Sequence, residues 1–193
     1  MHVDAARLLL PAPDPAALVA ALAECAPQSP AAVLAQLAAL GWSEALLDQL
    51  APPLGPEPTP YVRQVLGATA DWEVMVARWR PGVPCLPHDH GAARGWVVFA
   101  RGTFAETHWT AHPHGYQTRA VRTHRAPAVS RVAAGAFHHC QCAEEGLSLH
   151  IYTPAIAGMQ VLDVPARRTL RLADHCGAWL PQQPSDVLAT TSW

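Results

Sequence analysis

The stretch PGVPCLPHDHGAARGWVVFARG, residues 81–102, combines turn signals, a spaced pair of histidines and an apolar run. Pro81-Gly82 and Arg101-Gly102 are typical of turns, and residues 96–100 are typical of a buried strand. In an extended His88-Asp89-His90 segment, both imidazoles point to one face and Asp89 points to the other, because side chains alternate along a strand. The stretch therefore predicts a β-rich core that presents two imidazoles to one metal ion.

The whole sequence divides into three segments that differ in composition and in the spacing of their apolar residues. Residues 1–51 are expected to be helical, with helices over 15–26, 30–40 and about 44–50, and a proline-rich connector follows at 52–60. Residues 61–193 predict an antiparallel barrel or sandwich whose tail, from 155 onward, wraps around it. Further strands are expected at 73–79, 103–109, 117–124, 136–142, 147–152 and 168–172.

A third metal ligand is expected from the His138-His139 pair, about fifty residues after His90. His138 shares strand parity with Cys140 and Cys142, which favours His138 as the inward-facing residue and leaves His139 as the alternative. A zinc knuckle built from these two cysteines is disfavoured, because Cys-x-Cys lacks the usual loop spacing. Three neutral imidazoles suit several divalent metals, including zinc, manganese, nickel and copper, so the ligand type alone does not select iron.

Composition excludes several classes of function. Half of the 193 residues are apolar, 15% are charged and the net charge is −2, with no lysine, so neither disorder nor nucleic-acid binding is expected. The N-terminus does not resemble a signal peptide, and no stretch suits a membrane span. Five irregularly spaced cysteines predict free thiols and a cytoplasmic protein. A monomer is compatible with the sequence, which does not specify the oligomeric state.

Several further motifs stand in a fixed order along the chain. Gly82, His88, His90 and Gly102 match the first cupin motif, but residues 91–95 lack its glutamate. Tyr61-Val62-Arg63 matches a Tyr-x-Arg motif, Trp79 precedes the Pro81-Gly82 turn, and Ser148, His150 and Tyr152 belong to a Ser-x-His-x-Tyr-x-Pro segment that ends at Pro154. Over residues 58–185 the chain resembles the cysteine dioxygenase type I family, the bacterial thiol dioxygenases of the cupin superfamily.

The resemblance implies a jelly-roll-like cupin β-barrel that carries one Fe(II) on His88, His90 and His138. It implies that Arg63, with Tyr61, binds the substrate carboxylate. It further implies that Ser148 orients His150 and that His150 orients the Tyr152 phenol. The implied reaction adds both atoms of O2 to the sulfur of a small thiol, with L-cysteine giving cysteine sulfinic acid and no organic cofactor required. Gly95 occupies the position at which animal members carry a cysteine crosslinked to the tyrosine, so no crosslink is expected.

Three other functions remain open at this level. A 3-mercaptopropionate or other small-thiol dioxygenase would carry glutamine in place of Arg63, and Gln64 is adjacent. A non-catalytic metal-binding cupin would consume no oxygen, and a cupin isomerase would leave Arg63 and the serine–histidine–tyrosine series without a joint role. Among the remaining polar residues, Asp89 and Glu106 are expected to be structural. Four histidines are expected to be solvated: His108, His112, His114 and His124.

Overall fold

Three short helices form the N-terminal part of the computed structural model, which describes residues 13–24 and 29–193. They are α1 (Pro15–Glu24), α2 (Pro30–Ala39) and α3 (Glu44–Leu50). As expected from the sequence, Asp14 caps α1 by accepting a hydrogen bond from the Ala16 amide at 2.9 Å. The predicted end of α1 at Cys25-Ala26 and the predicted helical content of residues 1–12 lie outside the described residues, as does the expected free thiol of Cys25.

Eleven strands follow in the described part of the chain. They are β1 (Tyr61–Ala68), β2 (Glu73–Trp79), β3 (Arg94–Arg101), β4 (Thr103–His112), β5 (Gly115–Arg125), β6 (Ala128–Val132), β7 (His138–Cys142), β8 (Gly146–Thr153), β9 (Gln160–Asp163), β10 (Arg168–Leu172) and β11 (Val187–Ser192). The prediction of a mainly β chain is therefore confirmed.

The strands form one sheet of five and two sheets of three. The larger sheet has the order β1-β2-β8-β3-β6, and the smaller ones have the orders β5-β4-β7 and β11-β10-β9. His88 makes single antiparallel bridges to His138 of β7 and to Val161 of β9, so it connects the two smaller sheets. In the described residues no ladder joins the five-stranded sheet to the others, so the predicted barrel is an arrangement of facing sheets rather than a closed cylinder.

Strand β8 shows how the sequence places the two faces of the five-stranded sheet. Leu147, Leu149 and Ile151 face outward and pack in one core cluster with the apolar side chains of the three helices. The alternate residues Ser148, His150 and Tyr152 face the space between the sheets. Burial on both faces explains why this strand has no simple alternation of buried and exposed residues.

No single helix in the described ranges is long and apolar enough to cross a membrane. Helices α2 and α3 reach a sufficient length and apolar composition only as a pair, and that pair is bent by 73°.

Candidate metal centre

The structure brings His88, His90 and His138 together between the sheets. One ring nitrogen from each lies within 4.8 Å of the others, and all three side chains are buried. Their ring centroids are 4.9 to 5.2 Å apart. The alternative ligand His139 is directed elsewhere, because its Nδ1 accepts a hydrogen bond from Trp109 Nε1 at 2.9 Å.

Backbone hydrogen bonds fix the positions of these imidazoles. His88 and His138 exchange two amide-to-carbonyl bonds, at 2.8 and 2.9 Å, so the ligand segment is aligned with β7. Asp89 points away from the centre, and its Oδ1 accepts from the Gln160 amide at 2.8 Å and from the Gly91 amide at 3.3 Å. The segment was expected to be part of a strand, but it forms only isolated bridges on either side. The Asp89 contacts supply the support that a continuous ladder would otherwise give.

The three imidazoles are suited to bind a cation. Burial, together with the neighbouring His138, lowers the pKa of His88 to about 3, and burial places the pKa of His90 well below its usual range. These rings are therefore neutral near pH 7 and offer lone pairs. His88 Nδ1 lies 2.9 Å from the Leu86 carbonyl oxygen and donates to it, which leaves Nε2 as its ligand atom.

Two buried ring nitrogens of the cluster lack a hydrogen-bond partner, and this supports the presence of a metal at the site. In the described part of the chain, His138 Nε2 and His90 Nδ1 have no hydrogen-bond partner. Buried polar atoms without partners are rare in proteins, and an ion among these rings would compensate for them. The donor set, three imidazoles without a carboxylate, suits a divalent transition metal.

Glu106 supports the third imidazole from behind. Its side chain is 1% exposed, and its Oε1 accepts from His138 Nδ1 at 2.7 Å, while Oε2 accepts from His124 Nε2 and Ser130 Oγ, both at 2.8 Å. Burial alone would raise the pKa of Glu106, but the hydrogen bonds from His124, His138 and Ser130 outweigh it and hold the pKa well below the usual range. The resulting carboxylate keeps the proton of His138 on Nδ1, which leaves Nε2 available to a metal.

Sequence reasoning missed this role of Glu106 and misplaced two of the four additional histidines. His124 donates to the Glu106 carboxylate, and His108 Nε2 lies 3.4 Å from the same oxygen, so the expectation that both are solvated is wrong. His112 and His114 are exposed, as expected. Glu106 lies two residues after the apolar Phe104 in a predicted strand, so both side chains point to the same, inward face. A carboxylate on a buried face needs hydrogen-bond partners, and this pattern in the sequence could have indicated the role of Glu106.

A second buried chain of hydrogen bonds reaches the centre from the opposite side. Trp79 Nε1 donates to Ser148 Oγ at 2.7 Å, and Ser148 Oγ lies 2.8 Å from His150 Nε2. His150 Nδ1 lies 3.0 Å from the Tyr152 hydroxyl, which is 3.1 Å from His90 Nε2. The alternation of residues along β8 predicted this series, and the structure extends it to Trp79 at one end and His90 at the other.

The tryptophan sets the direction of the first bond in this chain, and the tautomer of His150 sets the others. An indole N–H can only donate, so Ser148 Oγ accepts from it and has its own proton to give to His150 Nε2. Burial lowers the pKa of His150 to about 3, so this ring is neutral and carries one proton. In the tautomer whose Nε2 accepts from Ser148, that proton is on Nδ1 and is donated to the Tyr152 oxygen. Burial also keeps the pKa of Tyr152 well above its usual value. Tyr152 is thus a neutral phenol whose own proton points towards the centre.

Tyr61 and Arg63 line the same cavity, together with apolar side chains that include Met75 and Met159. Arg63 was assigned to a substrate carboxylate, but its Nη2 donates to the carbonyl oxygens of residues 174, 175 and 176, at 3.4, 3.2 and 2.8 Å. The Tyr61 hydroxyl accepts from the Ala178 amide at 3.0 Å. Both side chains therefore hold the segment 174–178 at the cavity, and no local sequence pattern indicates this contact.

Comparison with known proteins finds solved structures that resemble the chain but no family to which it can be assigned. No protein-family model matches the sequence, and no curated protein matches it significantly. Solved structures that resemble it include an uncharacterised Klebsiella pneumoniae protein with a double-stranded β-helix domain, with 19% identity and TM-score 0.47, covering 61% of this chain and 94% of that one. A Shewanella frigidimarina RmlC-like cupin has 18% identity and TM-score 0.41, covering 50% and 78%. Lactobacillus farciminis oxalate decarboxylase has 15% identity and TM-score 0.47, covering 60% and 34%.

Likenesses of this size do not indicate a substrate or a reaction. The metal and the chemistry are therefore inferred from the residues of this chain.

Proposed function

We propose that this protein is an iron-dependent thiol dioxygenase that oxidises L-cysteine to cysteine sulfinic acid with O2. The observation that carries the proposal is a cluster of three imidazoles without a carboxylate, met by a hydrogen-bond chain along β8 that ends in Tyr152. Bound Fe(II) would supply open coordination positions for a thiolate and for O2. The reaction adds both oxygen atoms to sulfur, which provides all four electrons, so no separate reductant is required.

The side chains around the cavity match the needs of a small amino acid thiol. Arg63 supplies a permanent positive charge at the cavity for a carboxylate. Tyr152 offers a phenolic proton to a bound reactant, since its oxygen already accepts from His150. The apolar lining from Met75 and Met159 excludes water from the reacting sulfur and strengthens polar interactions within the site.

Oxygen uptake by the iron-loaded protein tests the proposal. After anaerobic loading with Fe(II), the protein is given L-cysteine, 3-mercaptopropionate or cysteamine in parallel. We expect uptake with L-cysteine, matched one-to-one by sulfinate formation. Preferential uptake with 3-mercaptopropionate would keep the reaction and reassign the substrate. Absence of uptake with all three thiols would contradict the proposal and favour a non-catalytic metal-binding protein.

The role of Arg63 is tested by Arg63→Gln, with Arg119→Gln on the exposed surface of β5 as the matched control. Loss of a charge-assisted hydrogen bond to a carboxylate is expected to cost about 1.5–3 kcal/mol, or roughly 10- to 150-fold in kcat/KM for L-cysteine. Cysteamine, which has no carboxylate, should be affected much less. An equal loss for both thiols would show that Arg63 acts only through the main-chain segment that it holds.

A further inference from the structure

A second cluster of potential metal ligands lies outside the three-histidine centre. His175 Nε2 is 3.3 Å from Asp186 Oδ1, and with Cys176 Sγ these atoms all lie within 4.8 Å of one another. A tight turn, in which the Cys176 amide donates to the Ala173 carbonyl at 2.9 Å, presents the two adjacent ligands. The Ala173 amide in turn donates to the Asp186 carbonyl at 2.9 Å, which fixes the third ligand beside them.

The spacing and chemistry of this cluster suit a tetrahedral metal. Nitrogen and oxygen ligands about 2.0–2.2 Å from tetrahedral Zn²⁺ are about 3.3 Å apart, which is the separation of His175 Nε2 and Asp186 Oδ1. A thiolate bond is only slightly longer, which puts the sulfur about 3.6 Å from the other ligand atoms, so the sulfur has to approach by at most about 1.2 Å. The His175 side chain is 72% exposed and can make this adjustment, and water can complete the coordination.

Cys176 supplies the softest donor of the cluster and is its least exposed residue. The residue is 9% exposed, and in the described part of the chain no hydrogen bond involves its sulfur. Burial, with the Asp186 charge adding to it, raises the pKa of this thiol, and a bound divalent cation reverses that preference. The polarisable sulfur beside an imidazole and a carboxylate is a donor set typical of zinc.

The turn that carries the ligands is held in place before any metal binds. Arg63 Nη2 donates to the main-chain carbonyls of Asp174, His175 and Cys176. The Asp174 carboxylate is engaged separately, since it accepts from the Gly158 amide at 3.0 Å. Ligands on a rigid backbone lose little conformational entropy on binding, which favours affinity.

We propose that His175, Cys176 and Asp186 form a second divalent transition-metal site of the zinc class. The site is separate from the three-histidine centre and does not depend on the reaction proposed for that centre. Because two of its ligands, His175 and Cys176, lie on the segment that Arg63 contacts, a metal here would restrain the backbone at the edge of the cavity.

Titration of the metal-free protein with Co²⁺ distinguishes this site from the three-histidine centre. Only a thiolate ligand produces sulfur-to-cobalt charge-transfer absorption in the near ultraviolet, and the three imidazoles contain no sulfur. We expect the band in the wild-type protein, its loss on addition of Zn²⁺, and its persistence on addition of Mg²⁺. Oxygen uptake plays no part in this measurement, so its outcome is independent of the proposed dioxygenase activity.

Three variants assign the absorption to its ligands. Cys176→Ser should abolish the band, and His175→Ala, at an exposed position that folding does not require, should weaken Co²⁺ binding by at least about 10-fold. Cys140→Ser is the matched control, because Cys140 is the buried thiol beside His138, and it should keep the band. Absence of the band in the wild-type protein, or its loss only in Cys140→Ser, would overturn the proposal.

Discussion

Replacement of Glu106 by glutamine should weaken metal binding through the tautomer of His138. Glutamine has one acceptor oxygen and an amide that donates, whereas the Glu106 carboxylate accepts three hydrogen bonds at 2.7–2.8 Å. If the amide oxygen keeps the two partners of Oε2, His124 and Ser130, the NH2 group faces His138 Nδ1. His138 must then accept on Nδ1 and carry its proton on Nε2, the atom that the metal requires.

The expected magnitude follows from this loss of support. Removing a carboxylate behind a metal-bound histidine typically costs about 10- to 100-fold in metal affinity. That range corresponds to about 1.4–2.7 kcal/mol. The metal-free protein should also lose about 1–2 kcal/mol of unfolding free energy, because a hydrogen bond to a buried charge is replaced by a neutral one.

Calorimetric titration with Fe(II) under anaerobic conditions, or with Zn²⁺, measures the affinity, and urea unfolding measures the stability. The matched control is Glu144→Gln, an acid in the exposed turn between β7 and β8, which should match the wild-type protein in both. A Glu106→Gln protein that folds normally and binds metal with unchanged affinity would refute the argument from the His138 tautomer.

Three further predictions concern the close packing of Gly95 in the five-stranded sheet, the hydrogen bond from Trp79 to Ser148, and the stability gained on metal binding. Gly95→Ala should destabilise by about 1–3 kcal/mol in urea unfolding, because a Cβ there would overlap the Ile151 carbonyl oxygen, while Gly55→Ala, with open space around it, should not. Trp79→Phe should cost about 0.5–1.5 kcal/mol in the same assay by removing the hydrogen bond donated to the buried serine hydroxyl. A divalent metal at 100 times its Kd should raise the unfolding free energy by about 2.7 kcal/mol, and His138→Ala should reduce this gain; an equal gain in that variant would argue against the centre.

The sequence predicted those parts of the molecule that depend on local alternation. Parity within β7 selected His138 over His139, and parity within β8 placed Ser148, His150 and Tyr152 on one face. Both arguments need only the geometry of one strand. The same reasoning identified the apolar runs that became β2 and β3.

What the sequence did not predict depends on contacts between distant segments. The surroundings of Glu106 are assembled from β4, β5, β6 and β7, and no local pattern shows that these strands will face one another at this residue. Arg63 contacts a turn more than a hundred residues away along the chain. Likewise, β8 is buried on both faces because the helices cover its outer side, which sequence periodicity does not reveal.

The two buried hydrogen-bond chains give the centre two chemically different sides. On one side a charged carboxylate, Glu106, stands behind His138 and increases the basicity of the ligand that it contacts. On the other side the chain from Trp79 is neutral throughout and ends in the Tyr152 proton, 3.1 Å from His90 Nε2. If His90 held an ion through its unpartnered Nδ1, its ring proton would be on Nε2 and would be donated to the Tyr152 oxygen, which would leave the Tyr152 proton for a reactant in the cavity. The anionic chain thus favours retention of the metal, whereas the neutral chain keeps a proton donor directed at whatever the metal binds.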